Sequence, residues 1–101
     1  MRGVELPSRA IDHFGSQGFL HRRVAVGHVQ VSYVELDGVI GGHAAASRQL
    51  LLVVAGRVAC SSRDDILELG VGQAVEWQEG EWHETRSLEK SRILIVEGDW
   101  E

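Results

Sequence analysis

Basic residues, cysteine and long apolar runs are all scarce in this sequence, and each scarcity closes off a class of function. Ten Lys and Arg stand against fifteen Asp and Glu, a net charge of −5. A phosphate backbone needs a basic stripe that this balance does not offer, so no nucleic-acid partner is expected. A lone cysteine, Cys60, has no internal disulfide partner, and no charged-then-apolar leader opens the chain at Met1 to Ala10. Both point to a reducing, cytoplasmic location. The longest purely apolar run, Leu50 to Ala55, is far short of the ~20 residues of a membrane-spanning helix, and no membrane partner is expected.

What remains is an ordinary globular composition: 44% hydrophobic and 25% charged over 101 residues. That length suits one domain, and a chain this small has little stability to spare for a large empty cavity unless a second copy covers some apolar surface. A homodimer is the expectation. Cys60 reads as a small buried apolar residue, because no histidine lies close in sequence to act as its base.

Twelve glycines separate short segments rich in Val, Ile and Leu, the pattern of an all-β chain. Val24 to Leu36 alternates, with Val29, Val31 and Tyr33 on one face and His28, Gln30 and Ser32 on the other, which is taken as solvent-facing; Gly27 marks a bulge or bend. Asp37-Gly38 and Gly41-Gly42 supply turn chemistry. Gln49 to Ala55 reads as a strand buried on both faces, and Arg57 to Cys60, Ile66 to Leu69, Gln73 to Trp77 and Ser91 to Glu97 as further strands, six to eight in all. Pro7 to Phe14 is a single helical turn or a loop. The single domain, 1–101, divides into an N-terminal arm, 1–20, and a barrel, 21–101. His13 and His21 are expected at the surface, and Trp100 is expected to dock on the chain or a neighbour.

Two stretches carry a resemblance. GVIGGHAAASRQLLLVVAG, Gly38 to Gly56, resembles the first motif of the cupin superfamily, a glycine followed by His-x-His, a glutamate and a further glycine. His43 takes the first histidine place, Ala45 the second, Gln49 the glutamate place, and Gly56 is in register. GQAVEWQEGEWHETRS, Gly72 to Ser87, resembles the second motif, with Gly72, Gly80 and His83 in register, Gln78 for the proline and Ser87 for the asparagine. The resemblance implies a small single-domain cupin with degenerate metal motifs, folded as a jelly-roll β-barrel whose interior His43 and His83 share.

In metal-bearing cupins three histidines and one glutamate converge on a cation. Ala45 has no lone pair and Gln49 only a neutral amide oxygen, so the usual site is broken and no metal cofactor is expected. The leading reading is a barrel that binds a small organic ligand through His43, Gln49 and His83, the inward amide of Gln49 requiring a polar partner. The alternative is an isomerase- or oxygenase-type enzyme using His43 and His83 as acid and base or as ligands to a divalent transition metal, with Glu81, two residues before His83, completing the set. A barrel with a filled interior is a third possibility. Ser47, Ser61, Ser62 and Ser87 fall in no nucleophile motif. If His83 faces inward, Trp82 faces outward, and with Leu50, Leu52 and Val54 it suggests a subunit interface.

Overall fold

Side-chain alternation along Val29–Ala44 builds the longest strand, β3, and the rest of the chain pairs onto it directly or through neighbours. The computed structural model describes residues 1–100. Before β3 come β1 (Ser8–Ala10), one 3-10 turn (His13–Gly15) and β2 (Gln17–Ala25). After it come β4 (Gln49–Ala55), β5 (Val58–Ser61), β6 (Ile66–Leu69), β7 (Ala74–Trp77), β8 (Trp82–Ser87) and β9 (Ser91–Gly98). The first part of β3 lies between β2 and β9, and β4 and β7 extend that sheet beyond β9. Its last part pairs with β8, which leads on to β5 and β6. Paired with both sets of strands in this way, β3 joins them into one nine-stranded sheet that curls into a nearly closed antiparallel barrel, the all-β jelly roll that the sequence implies.

The register of β3, β9 and β4 sorts the interior into rungs. Val34, Ile93 and Val53 form one, Ser32, Ile95 and Leu51 the next, and Gln30, Glu97 and Gln49 the one after that. Polarity therefore rises along the barrel axis. The apolar end is closed by Leu36, Val58, Cys60 and Leu69, and the polar end is where the functional candidates gather. Between these rungs, the outward set of Tyr33, Leu94 and Leu52 and of Val31, Val96 and Leu50 makes a half-exposed apolar outer face.

Several local expectations are corrected. Val24 to Leu36 is not one strand, because Val26 to His28 link β2 to β3 as a hairpin. Residues 17–20, assigned to the arm, belong to β2, and Pro7 to Phe14 contains β1 as well as the start of the single 3-10 turn, His13–Gly15. Gln30 and Ser32 turn inward: Ser32 is 1% exposed, and only His28 stays in solvent. Gln49 to Ala55 alternates instead of being buried on both faces, with Val54 exposed. Asp37-Gly38 and Gly41-Gly42 lie within β3, where glycine serves close approach and not reversal. Trp100 docks on its own chain, under the Arg48 guanidinium at 3.9 Å. Among the described residues no helix is long and apolar enough to cross a membrane.

Candidate functional site

The site begins at a bulge. Register slips between Ile40 and His43 on β3, and the two glycines in the slip are there because other groups occupy the space of a side chain. A Cβ on Gly41 would collide with the backbone carbonyl of Phe14, and one on Gly42 with the indole of Trp82. Beyond the bulge His43 stands opposite His83 of β8, and the two imidazoles meet with centroids 4.4 Å apart. Trp82, paired with Ala44, is half-buried over Gly42, so the chain itself supplies part of its cover.

Aromatic rings extend this pair in both directions. Phe14 stacks on His43 at 4.2 Å, nearly parallel, and Trp77, 2% exposed, lies 4.8 Å from His83. The column Phe14, His43, His83, Trp77 runs from the barrel mouth to its core. The turn bearing Phe14 is tied down by Ser16, whose hydroxyl donates to the His13 carbonyl at 2.6 Å and accepts from the Gly41 N–H at 3.0 Å.

Backbone contacts decide which imidazole nitrogens carry protons. Nδ1 of His43 lies 2.9 Å from the Gly41 carbonyl, and Nδ1 of His83 lies 3.4 Å from the Glu81 carbonyl. A carbonyl only accepts, so both Nδ1 atoms are protonated donors, and in the neutral form of each ring Nε2 carries the free lone pair. Burial lowers the pKa of His83, which keeps that ring neutral.

Gln49, 8% exposed, sits between Trp77 of β7 and Glu97 of β9. Glu97 is a site residue that motif reasoning passes over, although it is in phase with inward Ile93 and Ile95 two and four residues before it. Burial raises the pKa of its carboxyl, and nearby His43 partly offsets the shift. His21, expected at the surface, is half-buried, with Nε2 2.8 Å from the Ser32 hydroxyl. Its pKa is lowered by burial first, then by Arg9 and Arg23.

These groups line a cavity of about 120 Å³. His43, His83, Gln49 and Glu97 contribute polarity together with His13, His21 and the hydroxyls of Ser32 and Thr85, and Phe14, Trp77, Leu51 and Ile95 form part of its apolar wall. Glu81 is not among them. Its carboxylate accepts the Gln78 N–H at 3.0 Å inside the turn before β8, so the His43, Glu81, His83 set does not come together. Among the described residues no three His, Cys, Asp or Glu side chains form a group able to hold a metal ion. Ala45, at the motif's second histidine place, is buried and does not line the cavity. The donor set does not fit the usual cupin metal.

No family model matches the chain, and no curated protein is significantly similar to it in sequence. Solved structures do match. An RmlC-like cupin from Shewanella frigidimarina superposes with a TM-score of 0.82 at 16% identity, over 96% of this chain and 86% of that one. The polyketide cyclase RemF from Streptomyces resistomycificus gives 0.82 at 18% identity, over 96% and 78%. KdgF from Halomonas sp. gives 0.76 at 18% identity, over 99% and 97%. Similarity of this kind speaks for architecture: the chain has the cupin fold, and one fold serves many chemistries.

Proposed function

We propose that this cupin-fold chain is a binding barrel that holds a small organic ligand between His43, Gln49 and His83, without the usual cupin metal. The observation that carries the reading is the pair of Nε2 lone pairs left free by the Nδ1 contacts to Gly41 and Glu81, on two rings that line one cavity. A ring packed only for stability has no need to keep a polar atom free, whereas a ligand site needs a few convergent polar groups in an apolar wall. An engineered cavity of ~150 Å³ admits benzene, so the ligand or its buried part is about that size or smaller.

The protein acts in a reducing, cytoplasmic compartment as a homodimer. The outer face of Tyr33, Leu52, Leu94, Val31, Val96 and Leu50 supports pairing with a second copy, being apolar and half-exposed. Light scattering at tens of micromolar should give twice the chain mass; a monomer there ends the dimer reading. Elemental analysis of the purified protein tests the site. Zinc, iron, nickel or manganese bound near one per chain and lost in His43→Ala or His83→Ala would replace this reading with a metalloenzyme.

A further inference from the structure

Glu97 has no ion-pair partner among the described residues, and no Lys or Arg lines the cavity it enters. Its cross-strand neighbours, Gln30 and Gln49, are neutral amides. A half-buried carboxylate without a Lys or Arg counter-ion is costly to keep charged, and burial raises its pKa, a shift that His43 offsets only in part. The chain has surface arginines in quantity, yet none is brought here. On the facing strands, His43 and His83 add two more acceptor atoms, their unprotonated Nε2 nitrogens. Flanking them are the rings of Phe14 and Trp77, packed on His43 and His83.

The cavity therefore holds one carboxylate, no Lys or Arg and several imidazoles among its lining residues, with aromatic rings in its wall. A carboxylate or phosphate ligand would meet Glu97 with no Lys or Arg to offset the repulsion. An ammonium or amidinium group would instead give N–H donors to Glu97 and the two Nε2 atoms, and its apolar body would lie against Leu51, Ile95 and the rings. From this arrangement we infer that the ligand is a small organic cation, a compact amine or amidine bound by the Glu97 carboxylate and the Nε2 atoms of His43 and His83. The inference rests on the ligand-binding reading and narrows it to one charge class.

Three probes of similar body and different charge test it on the intact chain: cyclopentylammonium, cyclopentanol and cyclopentanecarboxylate. Binding is followed by titrating the imidazole ring signals of His43 and His83 in nitrogen-15 NMR at neutral pH. The expected order is ammonium, then alcohol, then carboxylate, with at least about a tenfold gap between the first two, the size of effect that one partly buried charge pair supports. In Glu97→Gln the ammonium should lose about that factor while the alcohol holds within about twofold. Two results overturn the inference and leave the ligand-binding reading standing: a carboxylate that binds best, or an ammonium affinity unchanged in Glu97→Gln. If none of the three moves either imidazole signal, the cavity is not a ligand site, and both readings fall.

Discussion

Phe14 and His43 lie ring on ring, centroids 4.2 Å apart and planes within 9° of parallel, although Phe14 is 62% exposed and has φ at 59°. A left-handed backbone costs a non-glycine residue roughly 1–2 kcal/mol, and an aromatic stack returns about 0.5–1.5 kcal/mol. The two nearly cancel. What holds the turn is then its backbone seat against Gly41 and the Ser16 hydroxyl, with the ring setting where the seat points.

This balance separates two substitutions at one position. Phe14→Ala keeps the backbone cost and loses the stack, and should destabilise by about 1 kcal/mol. Phe14→Gly loses the stack and relieves the backbone, so it should cost less than the alanine despite glycine's greater entropy. Urea denaturation of both variants checks the order; an alanine variant more stable than the glycine one would contradict it.

The paired glycines should also differ. Gly41→Ala drives a methyl into the Phe14 carbonyl, which is backbone and yields only if the turn moves, whereas Gly42→Ala meets the end of the Trp82 indole. Overpacking against backbone should put Gly41→Ala near the upper end of about 1–3 kcal/mol and Gly42→Ala near the lower. Trp82 fluorescence should change in the second variant more than in the first.

Burial holds the pKa of His83 and His21 below 6.5. As pH falls through 6.5 the unfolded chain gains protons that the folded chain does not yet take, so stability declines from there toward the folded-state values. Thermal midpoints should fall between about pH 7.5 and 5.5, and His83→Gln should flatten part of that slope. Glu97 works in the opposite sense. With its folded-state pKa above 4.5, it lowers stability as pH rises through that window, so Glu97→Gln should raise the neutral-pH midpoint and lose the advantage near pH 4.5. A neutral-pH midpoint unchanged by Glu97→Gln would contradict this.

The Cys60 thiol is 2% exposed, and burial pushes its pKa up to about 11, with the Thr85 hydroxyl opposing in part. Thiolate is therefore scarce at neutral pH. Iodoacetamide should label the native chain at least about a hundredfold more slowly than the urea-unfolded chain. Equal rates would mean that the barrel opens far more readily than its packing implies.

Strand content and the meeting of His43 with His83 were legible in the sequence because alternation and motif spacing are local signals, carried within Gly38 to Gly56 and Gly72 to Ser87. Glu97 was legible too, by its phase with Ile93 and Ile95, but no motif draws the eye to it. His21 was not. Its inward position depends on β2 pairing with β3, and nothing in the run Gln17 to Ala25 alternates cleanly enough to announce a strand. Gly41 and Gly42 carry a signal with two meanings, reversal or close approach. Which one holds is decided by Phe14 and Trp82, residues distant in the chain.

Because β3 hydrogen-bonds to both sets of strands, neither set has a boundary at which it can detach from the other. Loss of β3 removes the partner of β2, β8 and β9 at once. The barrel has no smaller folding unit to fall back on, so the ligand-bearing end and the apolar end share one unfolding transition. Native-state hydrogen exchange at amides of β8 and of β9 should then report the same opening free energy, even though those strands pair with different parts of β3. Any ligand that tightens the mouth will slow exchange at the far, apolar end by the same amount.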